Sequence, residues 1–363
     1  MIHKESDGSQ MTMNVKELIG IGQVDVVGLD IGRSSVKMVQ LDRDGDQFCV
    51  VTAAMQEIER SDDPAKHQNN TAAAIRKCFS QSKRTTRNVV CGVGGPDVMV
   101  RSFSFPNLPP EAIGQAVMLE AQQVCPLDIK SSVVDYQLVD VPGDSPKANR
   151  GIFVVATNEA VQYKNRLGHM ASVNTVRIDV EGLALINCIQ ACEGLPADSS
   201  VAAIQVGCSS TTVVIAGAGG TAFVRDLSSG GDAIIDRIAQ AHGLTRETVD
   251  NILRKRYTSA EMQDKVTRAL PEAAAGLISD VSETLRYYAM QPGSVPVGKM
   301  YLCGGFALVR EFAYLMNTRL PERVTLLNPF SKIRCLMDDR RREFLMDIGP
   351  MMAVATGLAM RTI

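Results

Sequence analysis

The chain has 363 residues, a length that excludes a single small core and allows two lobes with a cleft between them. Its formal net charge of −2 and its 21% of charged residues are typical of a folded globular protein, so they exclude a disordered chain and do not indicate a nucleic-acid partner. No apolar run approaches the roughly 20 residues that span a bilayer, and the first ten residues lack the apolar core of a secretory signal. We therefore expect a cytoplasmic protein without direct membrane insertion.

The nine cysteines are irregularly spaced, and the chain contains no CxxC motif and only four histidines. Cys91, Cys188, Cys208 and Cys303 lie among Val, Leu, Ile and Gly, where a free thiol behaves as a small buried hydrophobic group. The pattern predicts neither disulfides nor a metal cluster.

Residues 1–23 form a polar N-terminal tail with one short helical pattern, which could dock a partner or a membrane surface or could be a simple terminus. Residues 24–96 then predict three antiparallel strands joined by tight turns, a helix over 72–83 and a buried strand over 88–93. We assign this stretch to the first lobe, completed by residues 179–200 and 342–363.

Residues 97–178 alternate strand and helix patterns, which predicts a small α/β insert subdomain. Residues 201–341 repeat the opening arrangement of three strands with hairpin turns, followed by helices, a strand at KMYLCGG and a helix at ALVREFAYLMN. This second lobe therefore indicates a duplicated domain.

The segment Gly28 to Leu41 carries the strongest local signal for chemistry. A tight turn through Gly32 exposes backbone N–H groups beside Ser34 and Ser35, which can hold phosphate oxygens. Lys37 adds a positive charge, and Asp30 can hold a hydrated Mg²⁺. Any β-hairpin with a glycine turn looks similar, so this segment alone leaves a plain hairpin open.

A second Gly-x-Ser-Ser turn follows Gln205, between two strands of the second lobe. Two such hairpins can face each other across a cleft and hold one phosphate chain from both sides. Paired phosphate loops occur by chance far less often than one.

These residues resemble the actin, heat-shock chaperone and sugar kinase superfamily, whose five motifs occur here in order. The motifs are Gly28 to Lys37, Asp179 to Asn187, Gln205 to Thr212, Leu302 to Phe312 and Ile348 to Ala359. The resemblance implies an α/β, actin-like (ribonuclease H-like) two-lobed fold with duplicated mixed-sheet domains and the small insert. It also implies ATP or ADP with Mg²⁺ between the lobes.

Carried over position by position, the resemblance implies a set of cofactor-binding residues that come from both lobes. They are Asp30, Gly32, Arg33, Ser34, Ser35, Lys37, Gly207, Cys208, Ser209, Ser210, Thr211, Gly230, Gly231, Asp232, Asp250, Gly304, Gly305 and Phe306. Asp30 would hold the metal through water, and Glu181 would position the attacking water. Glu181 has an equally good structural role as a carboxylate at a helix N-terminus.

Within the superfamily, the chain resembles the PilM family of type IV pilus assembly proteins from Val24 to its C-terminus. The insert, with FPNLPPEAIGQAVMLEAQQVCPLDI, separates PilM and FtsA from sugar kinases and chaperones; FtsA continues into a basic amphipathic anchor, whereas this sequence stops at Ile363. The resemblance implies a scaffold, peripheral at the inner membrane, that binds the cytoplasmic N-terminal peptide of a PilN-like protein and other pilus or secretion platform components. The apolar FSFPNLP segment is a candidate contact, or it packs the insert onto the lobe.

Several positions depart from the superfamily pattern. Gln205 replaces the usual Asp, which argues for nucleotide binding without efficient hydrolysis and leaves only a weak ATPase possible. Arg33 replaces a small residue, and Leu253 occupies the place of an expected Lys, with Arg254 and Lys255 beside it. An FtsA-like filament-forming, membrane-tethered protein and a small-molecule kinase of the same superfamily remain alternatives.

Overall fold

A computed structural model describes residues 25–45, 47–82, 86–139, 148–217, 222–255, 259–291 and 293–361. The expected N-terminal tail, most of the turn between the last strands of the insert, and the turn over residues 218–220 lie outside the described residues. Within the described ranges, no helix combines the length and the apolarity that crossing a bilayer requires.

The first sheet has six strands in the order β14-β3-β2-β1-β4-β8. The strands are β1 Val27–Ile31, β2 Ser35–Asp44, β3 Gln47–Glu57, β4 Asn88–Val93, β8 Asn174–Val180 and β14 Arg334–Cys335. The first three pair antiparallel, as the hairpin pattern predicted, and β4 and β8 add in parallel. Every residue of β1 is buried because helices cover both faces of this sheet.

The helices against the first sheet are α1 Pro64–Ser80, α3 Asn158–Met170, α4 Glu181–Glu193 and α10 Ala353–Ala359. Helix α1 begins eight residues before the predicted start. The side chain of Asp63 caps it by accepting a hydrogen bond from the Ala65 amide, and Pro64 occupies the first turn, where its missing N–H has no cost.

The insert is a three-stranded sheet with the order β5-β7-β6, covered by one helix. Its elements are β5 Val98–Pro106, α2 Pro110–Val124, β6 Ser132–Leu138 and β7 Ala148–Thr157. The predicted range 97–178 is too long, because β8 pairs with β4 and α3 packs on α1, so both belong to the first lobe. Strand β8 belongs to the first lobe because it pairs in parallel with the buried strand β4. The sequence of β8 alone does not indicate that pairing.

The second sheet has five strands in the order β11-β10-β9-β12-β13. They are β9 Ser200–Val206, β10 Thr211–Gly217, β11 Ala222–Leu227, β12 Val297–Cys303 and β13 Val324–Leu326. The helices of this lobe are α5 Gly231–His242, α6 Arg246–Leu253, α7 Ala260–Ala289 and α8 Arg310–Arg319. The chain returns to the first sheet at β14, before helix α9 Asp339–Ile348, so the second lobe ends earlier than the predicted residue 341.

Helices α4 and α10 cross closely between the lobes. A Cβ on Gly357 would lie 1.8 Å from the carbonyl oxygen of Ala184, and a Cβ on Gly28 would lie 2.0 Å from that of Ala355. Only glycine permits backbones to approach this closely. The crossing places the C-terminal end of β1 and the N-terminus of α4 at the same cleft.

Candidate functional site

A cavity of about 580 Å³ opens between the two lobes, at the ends of β1 and β9. All of the sequence-predicted site residues line it except Thr211 and Gly230. The residues come from both phosphate loops, the N-terminus of α4, helices α5 and α6, and the turn after β12.

The first phosphate loop centres on Asp30 and Lys37, which are cross-strand partners in the β1–β2 hairpin. Both side chains are buried, and the Lys37 Nζ donates a hydrogen bond of 3.1 Å to Asp30 Oδ2. The turn itself closes through the Gly32 amide, which donates to the Ser35 carbonyl at 3.1 Å. The loop therefore presents a fixed charge pair beneath a short backbone turn.

The second phosphate loop is braced from behind by the two predicted residues that do not line the cavity. The Thr211 hydroxyl donates to the Ser229 carbonyl at 2.7 Å. A Cβ on Gly230 would lie 2.7 Å from the Cys208 carbonyl oxygen, so glycine is needed for the close packing. In this structure both residues pack against the loop and do not line the cavity.

Cys208 differs from the buried thiols expected in the sequence analysis. It lines the cavity, and its thiol donates to Asp232 Oδ2 at 3.0 Å. Burial, followed by this hydrogen bond, raises the pKa of Cys208 to about 11. Cys91, Cys188 and Cys303, by contrast, are fully buried.

The turn after β12 requires glycine at residue 304. Gly304 has φ of +92°, and a Cβ there would lie 2.4 Å from the Val206 carbonyl oxygen. The next residues bring the Phe306 ring against Gly231, where a Cβ would lie 2.4 Å from the ring. This part of the cavity is thus walled by backbone and one aromatic ring.

Glu181 begins helix α4 and faces the first lobe. Its Oε1 lies 3.6 Å from the Nζ of Lys164, which also donates to the Ile31 carbonyl at 2.8 Å. Burial raises the pKa of Glu181; the Lys164 charge opposes this rise and the Asp30 charge adds to it. Sequence reasoning missed Lys164, because α3 was assigned to the insert and carries no motif.

Asp250 and Arg254 lie one turn apart on α6 and both line the cavity, with Arg254 Nε 2.9 Å from Asp250 Oδ1. Leu253, at the position of the expected Lys, is buried in the core of the second lobe. Arg254 therefore supplies the cationic group that this segment turns toward the cleft.

Arg60 was not predicted, although it lines the cavity and crosses it. Its guanidinium lies 3.1 Å from Asp232 Oδ1, which also accepts from Arg246 at 3.0 Å. Burial works against ionisation of Asp232, but its thiol and guanidinium partners prevail and lower its pKa. The segment after β3 has no motif that would have indicated this residue.

Asp226 forms a second link between the lobes, deeper than the first. The Gly95 amide of the first lobe donates to Asp226 Oδ2 at 3.1 Å, and the Thr212 hydroxyl donates to Oδ1 at 2.5 Å. Burial raises the pKa of Asp226, and the two hydrogen bonds oppose the rise. Thr212 itself lines the cavity.

The residues fit a phosphorylated ligand with a hydrated divalent cation. The Oε1 of Gln205 is buried and has no hydrogen-bond partner among the described residues, and Gln205 lines the same cavity as Asp30. An amide oxygen and a carboxylate oxygen are the donors that hold the water shell of Mg²⁺. The two loops, whose backbones turn around glycines, are suited to phosphate oxygens.

Residues 28–363 match the sequence family described as type IV pilus assembly protein PilM. The chain belongs to the PilM family. Among solved structures, the PilM–PilN type IV pilus biogenesis complex superposes with a TM-score of 0.78 at 23% identity, covering 93% of this chain and 98% of that chain. The resemblance to the PilM family stated from the sequence is thus confirmed.

Two further structures share the fold at lower similarity. The ethanolamine utilization protein EutJ from Carboxydothermus hydrogenoformans gives a TM-score of 0.55 at 13% identity, covering 92% of this chain and 88% of that one. A nucleotide-free diol dehydratase-reactivating factor gives a TM-score of 0.52 at 11% identity, covering 92% of this chain and 98% of that one. The predicted two-lobed, actin-like α/β fold of the PilM family is confirmed.

Proposed function

We propose that this member of the PilM family is a nucleotide-clamped scaffold, which binds ATP or ADP with Mg²⁺ between its lobes and docks a PilN-like membrane protein. The observation that carries the first half is the convergence of two glycine-turn loops, one from each lobe, on one cavity. Asp30 and Gln205 would hold the hydrated cation, which supplies charge neutralisation for the phosphates when bound. The serines and backbone amides of both loops would hold phosphate oxygens.

Hydrolysis is not required for this role. Gln205 is uncharged, so the site lacks the carboxylate that the superfamily pattern has at this position to hold and charge-balance the hydrated cation. We expect slow or negligible phosphate release, with the bound nucleotide stabilising the closed arrangement of the lobes.

The nucleotide proposal is tested by thermal denaturation with ATP, with ADP and without nucleotide, each with Mg²⁺, and by phosphate release. A ligand that binds only the folded state raises the melting temperature. Ser34→Glu places a negative charge in the first loop and should remove this rise, whereas Ser104→Glu, at an exposed position of the insert, should leave it intact. No stabilisation of the unchanged protein by either nucleotide would refute the assignment.

The insert offers an open strand edge for the partner peptide. Strand β6 lies at one end of the three-stranded sheet, and its Val133 and Leu138 are 46% and 44% exposed. The FSFPNLP segment is less available, because Phe103 is buried against Phe153 and α2 in the core of the insert itself. An extended peptide can pair with an open edge while its apolar side chains cover the exposed ones.

We therefore propose β6 as the edge that accepts the cytoplasmic N-terminal peptide of a PilN-like protein, which would hold the scaffold at the inner membrane. Calorimetric titration with a synthetic peptide of that segment tests the proposal. Val133→Lys combined with Leu138→Lys should weaken binding by about tenfold or more. Leu326→Lys, which alters a leucine that is 48% exposed on the second lobe, is the control. Equal affinity of all three proteins would exclude β6.

A further inference from the structure

A second cavity, separate from the cleft between the lobes, is a groove of about 720 Å³ between the insert and the second lobe. One wall is β5 and the other is β11, with the C-terminal turn of α7 closing the base. Neither the phosphate loops nor β6 contribute to it. The groove therefore has no role in the function proposed above.

Both walls are strand edges. β5 is the end strand of the insert sheet, opposite β6, and β11 is the end strand of the second sheet. The two strands lie against each other but belong to separate sheets, and no ladder joins them within the described residues. A groove that runs between two strands admits an extended chain, which can lay its backbone along either strand. This geometry suits a peptide better than a compact small molecule.

The side chains of the groove specify the charge of the occupant. The Arg101 guanidinium on β5 lies close enough to the Tyr287 hydroxyl to lower its pKa, and the guanidinium of Arg225 on β11 lies 5.9 Å from the centre of the same ring. Neither arginine forms an ion pair with a carboxylate in the part of the chain that the structure describes. The nearby Asp226 is engaged by Gly95 and Thr212 instead.

Aromatic and apolar side chains occupy the rest of the lining. The Phe223 ring lies 6.2 Å from Tyr287 and 5.7 Å from Tyr288, and Met99 and Leu127 complete an apolar floor. Two cations over such a floor complement a chain in which carboxylates alternate with apolar side chains, since alternate residues of a strand point to opposite sides.

We infer that the groove between β5 and β11 is a second docking site, and that it takes an extended acidic peptide segment of a partner protein. The segment lies along the groove between the two strands, and its carboxylates pair with Arg101 and Arg225. This site is distinct from the β6 edge in position and in the charge of its ligand.

The probe is a fluorescein-labelled synthetic peptide with alternating glutamate and valine or phenylalanine, and binding is followed by fluorescence anisotropy. The charge-reversed peptide, which has lysine in place of each glutamate, should bind at least about tenfold more weakly. Arg101→Ala combined with Arg225→Ala should weaken binding of the acidic peptide to a similar extent. The control Arg319→Ala, at an exposed arginine of α8, should leave that binding unchanged. Both arginines are exposed, so the double variant should keep its melting temperature.

Hydrogen exchange locates the peptide independently of charge. The acidic peptide should protect amides of β5 or β11 and leave β6 unchanged. Failure of the acidic peptide to bind, equal binding of both peptides, or protection confined to β6 would overturn the inference. None of these outcomes bears on nucleotide binding, so the two proposals fail separately.

Discussion

Arg60 and Asp232 belong to different lobes, and their side chains meet at 3.1 Å across the cleft between the lobes. Arg60 follows β3, whereas Asp232 lies in the first turn of α5. Arg246 and the Cys208 thiol hold Asp232 in place from its own lobe, so the carboxylate is a fixed target for the arginine. The ion pair therefore bridges the two lobes at the cavity that both residues line.

We expect Arg60→Ala to accelerate release of bound ADP severalfold while it changes the free energy of unfolding by less than about 1 kcal/mol, because an exposed ion pair adds little stability. Stopped-flow release of a fluorescent ADP analogue with Mg²⁺ measures the rate. The control is Arg268→Ala, which removes an exposed ion pair with Asp264 within α7. The same release rate in all three proteins would show that the pair does not restrain the ligand.

Gln205→Asp should reverse the main departure from the superfamily pattern. A new carboxylate at this buried position lacks a partner, so we expect the protein without ligands to lose about 1–3 kcal/mol of unfolding free energy. Mg²⁺ with nucleotide should restore the loss and should increase phosphate release. Gln205→Asn keeps an uncharged amide and is the comparison. If Mg²⁺ and ADP fail to rescue the aspartate variant, the cation does not bind beside residue 205.

Gly357→Ala should destabilise the protein by about 1–3 kcal/mol, because the added methyl group would overlap the Ala184 carbonyl and push the two crossing helices apart. Gly114→Ala on α2 should instead stabilise the protein. Its Cβ would meet only Tyr136 at 3.8 Å, and alanine favours a helix over glycine by about 1 kcal/mol. Urea denaturation gives both values. A harmless Gly357→Ala would contradict the packing of α4 on α10.

As the pH rises, the Glu181→Gln variant should gain stability relative to the original protein. Burial raises the pKa of Glu181 in the folded chain, so between its unfolded and folded pKa values the folded state holds more protons. The free energy of unfolding therefore falls as pH rises through that interval, and glutamine removes this dependence. Chemical denaturation between about pH 4 and 8 measures the difference, with the exposed Glu272→Gln as control. A difference that shrinks with rising pH would contradict the assigned direction.

The sequence predicted the parts of the fold that local rules encode. The hairpins around Gly32 and after Gln205 each depend on turn chemistry within one short segment. These signals also placed most of the site residues at the cleft, because the motifs lie where strands end.

What local rules do not encode is which distant segments pair. Strand β14 has two residues, and β8 joins the first sheet only because β4 presents a free edge to it. Lys164 and Arg60 reach the cleft from segments without motifs, and only the packing of α3 and the path of the chain after β3 bring them there. Thr211 and Gly230 belong to the predicted site, but they pack against the second loop and do not line the cavity.

Asp226 touches both compartments of the molecule. Its side chain borders the groove, its partner Thr212 borders the cleft between the lobes, and its other partner, the Gly95 amide, comes from the opposite lobe. A rotation of one lobe against the other would change the widths of groove and cleft together, because this junction lies on the boundary of both. Thermodynamic reciprocity then requires that a nucleotide favouring one rotation alter the affinity for a peptide in the groove, and that the peptide alter the affinity for the nucleotide by the same factor. With such coupling, nucleotide binding without hydrolysis would be enough to control when the scaffold binds its partners.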